Sequence, residues 1–214
     1  MKVFNLIILG PQGSGKGTQA ELLREKFGLA FISSGEWMRE VAQIDTELGR
    51  RVKERIDKGL MVEPEDVAAV VEEKLKQVSP QKGIIVEGFP RSLEQYELMK
   101  QFWPKLNRGD YRVIFIELSE EEAVKRLGSR VICENCKSIF ITGQFEKCPK
   151  CGGKLVQRHD DYPEAVKKRL GWFKSEVLPV IKEIEKDGHG VIRIDGSPTI
   201  EEVHEEILEK LGLK

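Results

Sequence analysis

A glycine-rich turn that contains a lysine joins an apolar run to a helical pattern near the start of the chain. Residues 4–9 are mostly apolar, and residues 10–18 read Gly-Pro-Gln-Gly-Ser-Gly-Lys-Gly-Thr. Apolar side chains then recur at helical spacing over residues 16–27, and Gly28 supplies a stop. A buried strand, a turn whose backbone N–H groups can converge, a helix N-terminus and the charge of Lys16 together predict a phosphate-binding loop. The alternative is a strand-to-helix turn without a ligand.

Apolar runs alternate with helical patterns along the rest of the chain. We expect further strands at residues 29–32, 83–87, 112–118 and 191–194, and helices within residues 34–77, 92–102 and 163–187. Ser119–Glu122 and Thr199–Glu202 read as capping boxes that start two more helices. Asp160 and Asp161 read as caps of the helix that follows them. This alternation predicts an α/β fold of three layers, in which helices cover both faces of a five-stranded parallel sheet.

The composition limits the classes of partner. The 214 residues are 40% hydrophobic and 33% charged, with a formal net charge of −1. This balance suits one ordinary globular domain with small insertions, and it gives no overall attraction to polyanions such as DNA. No apolar stretch approaches the roughly 20 residues that a membrane-spanning helix needs. We therefore expect a cytoplasmic protein that has neither nucleic acid nor a membrane as a partner.

All four cysteines fall in one short stretch as two Cys-x-x-Cys pairs, Cys133 with Cys136 and Cys148 with Cys151. Such pairs in an intracellular chain indicate a metal site rather than disulfides, and four thiolates form a closed tetrahedral site that suits structural Zn²⁺. The helical pattern disappears over residues 131–158, which indicates an inserted lid too small to fold around its own apolar core. Four reduced thiols without a metal are the alternative.

Several short segments follow one another in the order and at the separations typical of one enzyme family. They are distributed over nearly the whole chain. They are the loop at residues 10–18, Ile32–Arg39, Gly59–Val62, Glu87–Arg91 with the downstream Gln95, and the arginines that flank the lid. Together they resemble the adenylate kinases and related nucleoside monophosphate kinases. The resemblance implies reversible, Mg²⁺-dependent phosphoryl transfer from ATP to AMP, giving two ADP, with an arginine clamp and a zinc-bearing lid that closes over both substrates.

The same resemblance implies a division of the chain and a set of site residues. The P-loop core would comprise residues 1–33, 63–130 and 159–214, the helical monophosphate-binding insertion residues 34–62, and the zinc-ribbon-like lid residues 131–158. ATP would bind to Gly13, Ser14, Gly15, Lys16, Gly17, Thr18, Arg126, Arg130, Ile139, Phe140 and Pro198. AMP would bind to Ser34, Gly35, Arg39, Leu60, Met61, Val62, Gly88, Phe89, Pro90, Arg91, Gln95, Arg158 and Arg169. The catalytic residues would be Lys16, Arg91, Arg130, Arg158 and Arg169, and Glu87 would hold Mg²⁺ through water.

Some residues depart from the family pattern and some alternatives stay open. Gln12, Trp37 and Glu87 differ from the usual residues, the last standing where the family has aspartate. Gln95 and Ser34 favour adenine, but a kinase that phosphorylates UMP, CMP or GMP is the nearest alternative. More distant alternatives are a bare P-loop ATPase and a nucleotide- or nucleic-acid-binding protein that uses the cysteines as a zinc ribbon. The sequence leaves the donor base open, and it is compatible with the monomer common in the family or with an assembly.

Overall fold

The computed structural model describes residues 4–58, 60–158 and 161–213. The strands are β1 (Asn5–Leu9), β2 (Ala30–Ser33), β3 (Ile84–Glu87), β4 (Tyr111–Glu117), β5 (Arg130–Cys133), β6 (Ile139–Ile141), β7 (Leu155–Val156) and β8 (Val191–Asp195). Five of them form one parallel sheet in the order β2-β3-β1-β4-β8. The predicted five-stranded parallel sheet is confirmed, and the bounds of its strands differ from those predicted by one residue at most. The predictions made for Gly59 and Asp160 fall outside the described residues.

The helices cover the segments in which helical patterns were predicted. They are α1 (Lys16–Phe27), α2 (Ser34–Val41), α3 (Glu47–Asp57), α4 (Pro64–Lys76), α5 (Leu93–Phe102), α6 (Glu120–Gly128), α7 (Pro163–Trp172), α8 (Leu178–Lys186) and α9 (Ile200–Leu211). A 3₁₀ turn at Trp103–Leu106 extends α5, and a π-helical turn at Phe173–Val177 joins α7 to α8. None of the described helices is long and apolar enough to span a membrane.

Polar side chains at the helix starts bear out one predicted capping box and correct the other. Thr199 and Glu202 form a complete box at the start of α9. Ser119 Oγ accepts from the backbone N–H of Glu122 at 3.2 Å, but the Glu122 carboxylate accepts from Arg126 at 3.0 Å instead of closing the box. The box predicted at residues 119–122 is therefore only half formed, because a full helical turn of separation lets the arginine compete for the carboxylate.

Alternate residues of β1 face two separate hydrophobic layers, one on each side of the sheet. Ile7 and Leu9 pack in the layer that includes residues of α4, α5 and α8, whereas Leu6 and Ile8 pack in the layer that includes residues of α1 and α9. All four side chains are buried. This alternation confirms the predicted three layers. Because the five strands are parallel, their carboxyl ends lie along one edge, where open α/β sheets bind ligands.

A buried arginine, Arg108, holds the end of α4 against the sheet. Its guanidinium group donates to the carbonyl oxygens of Leu75 at 2.9 Å, Lys82 at 3.1 Å and Ser79 at 3.2 Å, and also to that of Val78. Arg108 is only 6% exposed, and no described carboxylate pairs with it. A helix leaves its last carbonyls without partners inside the helix, so this arginine caps the end of α4.

The segment predicted as a lid forms a second, antiparallel sheet in the order β6-β5-β7. Arg130 at the start of β5 pairs with Ile141, and Cys133 at its end pairs with Leu155. Within the segment predicted as the monophosphate-binding insertion, α2 and α3 pack against each other. The bounds of core, insertion and lid stay a prediction.

Candidate active site

The predicted phosphate-binding loop lies at the carboxyl edge of the sheet, between the end of β1 at Leu9 and the start of α1 at Lys16. Gly15 precedes the helix at φ 83°, a left-handed conformation that glycine adopts without a Cβ clash. No described side chain caps α1, whose first turn also contains Gly17 and Thr18. The first N–H groups of the helix and the positive end of its dipole are therefore available to an anion such as phosphate.

Lys16 and Glu87 form an ion pair between the loop and the end of β3. Lys16 Nζ lies 3.7 Å from Glu87 Oε1 and donates a hydrogen bond to the carbonyl oxygen of Pro11 at 3.3 Å. The other carboxylate oxygen of Glu87 accepts from Ser33 Oγ at 2.8 Å. Burial alone would raise the pKa of Glu87, but the charges of Lys16 and Arg91 and the hydrogen bond from Ser33 hold this pKa below its usual value. Glu87 is therefore a carboxylate at neutral pH.

Positive charge from several segments converges on this pair. Burial lowers the pKa of Lys16 to about 8, with Glu87 opposing the decrease. Nearby arginines lower it further, namely Arg91, Arg169 and Arg130. Burial likewise lowers the pKa of Arg91, and the charge of Arg158 adds to that decrease. Like charges shift each other's pKa only when they lie close together, so the loop, the β3 turn and the two flanks of the lid meet at one site.

The turn after β3 holds Arg91 in place through hydrogen bonds to its neighbours. Arg91 Nε donates to the carbonyl oxygen of Gly88 at 2.5 Å, and Arg91 Nη2 lies 3.3 Å from Ser34 Oγ. Ser34 Oγ in turn donates to the carbonyl oxygen of Gly88 at 2.6 Å, and the Arg91 backbone N–H donates to Gln95 Oε1 at 2.8 Å. The peptide bond between Phe89 and Pro90 is cis. Gln95 therefore holds the backbone of Arg91 in place. The predicted role of Gln95, recognition of the adenine base, did not include this contact.

Two guanidinium groups approach the start of α2. A Cβ added at Gly35 would lie 3.5 Å from Arg39 Nη1 and 3.5 Å from Arg91 Nη2. A Cβ added at Gly88 would lie only 2.6 Å from Arg91 Nη2, so a side chain there would displace the arginine. Arg39 and Arg91 therefore come together beside Gly35, as expected for residues that share one anionic ligand.

Two of the predicted residues of the acceptor site have buried side chains. The Phe89 side chain is buried and stacks on Phe102, with their ring centroids 6.2 Å apart. Val62 is buried in the hydrophobic core, and the carbonyl oxygen of Met61 accepts from Arg55. Leu60 is exposed. At these positions the backbone, rather than the side chains of Phe89 and Val62, is what a ligand could contact.

Asp161, which was predicted to cap α7, instead binds two arginines. Its Oδ2 accepts from Arg130 Nε at 2.7 Å, its Oδ1 accepts from Arg130 Nη2 at 2.5 Å, and Oδ1 lies 3.7 Å from Arg169 Nη1. The residue is 1% exposed, and the residue that caps α7 is Tyr162, through no described side-chain bond. Two hydrogen bonds from the planar guanidinium group to the two carboxylate oxygens fix the orientation of Arg130 as well as its position. In the sequence, only the position of Asp161 three residues after Arg158 indicates that this carboxylate belongs to the site.

A small cavity of about 30 Å³ lies beside the loop. Among the residues that line it are five of those predicted to bind ATP, namely Ser14, Gly15, Thr18, Arg126 and Pro198. Arg126 donates to the carbonyl oxygens of Gly196 at 2.8 Å and Ser197 at 3.0 Å, which ties it to the loop before Pro198. A larger cavity of about 560 Å³ lies at the opposite end of β4, beside Tyr111 and His189, and is lined by none of the predicted residues.

The predicted donor contacts in the lid lie on β6. Ile139 is 50% exposed, and Phe140 packs edge-on against Phe145 with ring centroids 5.5 Å apart. Both side chains belong to an edge strand of the small sheet. These two residues therefore belong to the lid, whereas most of the other predicted donor residues belong to the phosphate-binding loop and its surroundings.

The four cysteine sulfurs form one compact cluster. Their Sγ atoms all lie within 4.8 Å of one another, with Cys133 and Cys151 3.4 Å apart and Cys136 and Cys148 3.5 Å apart, and none is in a disulfide. Zn–S bonds of about 2.3 Å put the sulfurs of a tetrahedral site roughly 3.8 Å apart. The cluster therefore has the size and the donor set of a metal site.

The comparisons with known proteins agree with this geometry. A family model described as adenylate kinase matches residues 8–189. The chain is 42% identical to an adenylate kinase of Archaeoglobus fulgidus, over 97% of this chain and 99% of the relative. It is 39% identical to one of Kosmotoga olearia, over 97% and 99%, and 38% identical to one of Caldicellulosiruptor saccharolyticus, over 99% and 100%. The chain therefore belongs to the adenylate kinase family of phosphotransferases.

Proposed function

We propose that this protein transfers the terminal phosphate of ATP to AMP, reversibly and with Mg²⁺, to give two molecules of ADP. The observation that carries the proposal is the convergence of Lys16 with arginines from the β3 turn and from both flanks of the lid. Two nucleotides bring a large negative charge, which only such a collection of cations can hold. A simple ATPase would need no second set of arginines beside the acceptor turn.

The donor phosphates would bind to Lys16 and to the N–H groups of the loop from Gly13 to Thr18. Lys16 has a charged partner in Glu87 and a carbonyl partner in Pro11, both of which a phosphate can replace. Arg126 and the loop at Pro198 line the neighbouring cavity, so we assign the donor nucleoside to this side. Ile139 and Phe140 would cover the nucleoside from the lid.

The acceptor would bind on the other side of the site. Arg39 and Arg91 lie beside Gly35 and would hold its phosphate, and the contacts of Arg91 with Ser34 and Gly88 orient that guanidinium group. The remaining acceptor contacts would come from the backbone of residues 60–62 and 88–90 and from the amide group of Gln95. The attacking atom is an oxygen of the acceptor phosphate, so no nucleophile from the protein is required.

The three lid-flanking arginines would act on the phosphoryl group in transit. Arg130 is oriented by Asp161, and Arg169 lies against the same carboxylate. Together with Arg158 they would stabilise charge in the in-line transition state, and closure of the lid would exclude water as a competing acceptor. Glu87 would hold Mg²⁺ through water, and the ion would neutralise charge on the donor phosphates.

The cysteine cluster would bind one structural Zn²⁺. Four thiolates leave no coordination position for a substrate, so the ion would hold the lid together rather than take part in transfer. A monomeric state and a cytoplasmic location stay predictions, which gel filtration with light scattering and cell fractionation would test.

A matrix of four donor and four acceptor nucleotides, each assayed with and without Mg²⁺, tests the proposed function. We expect ATP and AMP with Mg²⁺ to give the highest kcat/KM, with two ADP formed for each ATP consumed. A preference for UMP, CMP or GMP would show that the protein has the specificity of a related nucleoside monophosphate kinase. ATP consumption that does not depend on any monophosphate would reject the proposal in favour of an ATPase.

A further inference from the structure

Two side chains of the phosphate-binding loop have buried oxygen atoms without hydrogen-bond partners. Among the described residues, four buried polar side-chain atoms lack a partner, and Gln12 Oε1 and Ser14 Oγ are two of them. Buried polar groups are nearly always hydrogen-bonded, so an exception calls for an explanation. The loop thus keeps hydrogen-bonding capacity that the protein alone does not use.

Gln12 lies close to the ammonium group on which the phosphates would converge. Lys16 Nζ donates to the carbonyl oxygen of Pro11 at 3.3 Å, and this carbonyl is bonded directly to the Gln12 nitrogen. Standard peptide geometry puts that oxygen about 2.8 Å from the Gln12 Cα, so Lys16 Nζ is within about 6 Å of it. A glutamine side chain is long enough to cover this distance. A rotamer of Gln12 can therefore bring its carboxamide beside the Lys16 ammonium group.

We propose that Gln12 is a further catalytic residue, whose amide N–H donates a hydrogen bond to an oxygen of the phosphoryl group in transit. This inference rests on the proposed function. The transferring group carries three equatorial oxygens, and a neutral donor can satisfy one of them without adding another positive charge beside Lys16. In the complex, the carboxamide oxygen would accept a hydrogen bond from the bound substrates, from their water or from the lid arginines. It has no such donor among the described residues of the free protein.

The variant Gln12→Met tests this role because it keeps the length of the side chain and removes the N–H donors. The carboxamide oxygen has no described partner, so its loss should leave the melting temperature of the free protein unchanged or raise it. The loss of a hydrogen bond to a charged phosphoryl group should lower kcat roughly 10- to 100-fold, with the KM for AMP changed by less than about twofold. Gln12→Glu, which puts a negative charge beside the phosphates, should lower kcat further.

Two other glutamines serve as matched controls. The amide nitrogen of Gln19 donates to the carbonyl oxygen of Ile200 at 2.8 Å, and its oxygen lies 3.0 Å from His204 Nδ1, so Gln19→Met should lower the melting temperature. Gln101 is exposed on α5, so Gln101→Met should change neither stability nor kcat. A kcat for Gln12→Met within twofold of the unmodified protein would overturn the inference. So would a loss of stability as large as that of Gln19→Met, since Gln12 would then be structural.

The same experiment separates this inference from the proposed function. If the unmodified protein converts ATP and AMP to ADP and Gln12→Met does so equally well, only the role of Gln12 fails. If the unmodified protein makes no ADP from this pair, the proposed function fails, and calorimetric binding decides about Gln12. In that case Gln12→Met should bind a non-hydrolysable ATP analogue more weakly and ADP unchanged, because only the former has the terminal phosphate. Equal binding of the analogue would overturn the role.

Discussion

The ammonium group of Lys16 lies 3.7 Å from the carboxylate of Glu87, and both side chains are largely buried. The pair joins the loop after β1 to the end of β3, two strands that are neighbours in the sheet. In the free protein Glu87 balances the charge of Lys16. An incoming phosphate would take over that role and leave the carboxylate available to a cation, so this one contact underlies two predictions.

The first prediction concerns the pH dependence of ATP use. The pKa of Lys16 is lowered to about 8, so the ammonium charge is present below about pH 8 and is lost as the pH rises through that value. We expect kcat/KM for ATP to fall about tenfold for each pH unit above this point. The fall in kcat should begin at a higher pH, because bound phosphates favour the charged form.

Steady-state rates between about pH 6.5 and 9.5 check this prediction. In Lys16→Arg the guanidinium group stays charged, so any residual activity should lack the alkaline fall. A flat kcat/KM across that range in the unmodified protein would show that Lys16 does not titrate there or does not bind the donor.

Replacing Glu87 with glutamine should weaken the response to Mg²⁺. The pKa of Glu87 is held below its usual value, so the variant removes a full negative charge at neutral pH. We expect the Mg²⁺ concentration for half-maximal rate to rise roughly tenfold, because Mg²⁺ prefers carboxylate oxygens and water. Glu117→Gln is the control, since Glu117 is exposed at the end of β4 and pairs with Arg193. Identical Mg²⁺ titrations of the Glu87→Gln and unmodified proteins would remove Glu87 from the metal site.

Local patterns were sufficient to predict the sheet and most of the helices. Strand bounds came out within one residue because the buried centre of a parallel strand is a short apolar run, as over residues 6–9 of β1 and 113–116 of β4. The π-helical turn at Phe173–Val177 was not predicted, because one extra residue per turn hardly changes an apolar pattern over so short a length. The buried cap of α4 by Arg108 was not predicted either, since its carbonyl partners lie about 30 positions earlier in the chain.

The site was predicted where its residues belong to continuous motifs and missed where distant segments meet. The phosphate-binding loop and the turn at Gly88 follow from strand ends and glycines that are visible in sequence. The pairing of Asp161 with Arg130 joins residues 31 positions apart, and in sequence an acid two residues before Pro163 resembles a helix cap. Only the three-dimensional contact distinguishes these two roles.

Replacing Arg108 with methionine should destabilise the fold without slowing the reaction. The change leaves four carbonyl groups without the donors that they have now, so we expect the free energy of unfolding to fall by about 2–4 kcal/mol. Urea denaturation measures this loss, and kcat per folded molecule should not change. Arg24→Met, which breaks only an exposed pair with Glu21, should cost less than about 1 kcal/mol. A similar cost for both variants would contradict the capping role.

Removal of metal with a chelator should lower the melting temperature more than the initial rate at mild temperature. The four cysteine sulfurs would fill the coordination shell of Zn²⁺, so the ion would stabilise the lid and would offer no position to a substrate. Calorimetry, initial rates and metal content by mass spectrometry should be measured on the same samples, with Cys136→Ser as a metal-deficient variant. A rate that follows metal content at constant melting temperature would contradict a structural role.

Replacing Asp161 with asparagine should slow transfer while the lid stays folded. The carboxylate accepts two hydrogen bonds from Arg130 and lies 3.7 Å from Arg169, whereas an asparagine of the same size has one acceptor oxygen and no charge. Both guanidinium groups would then be less firmly oriented, so we expect kcat to fall roughly 10- to 100-fold with little change in the KM for AMP. Asp45→Asn, in an exposed pair with Arg50, is the control and should leave kcat unchanged. Equal kcat values for Asp161→Asn and the unmodified protein would mean that these arginines keep their positions without the carboxylate.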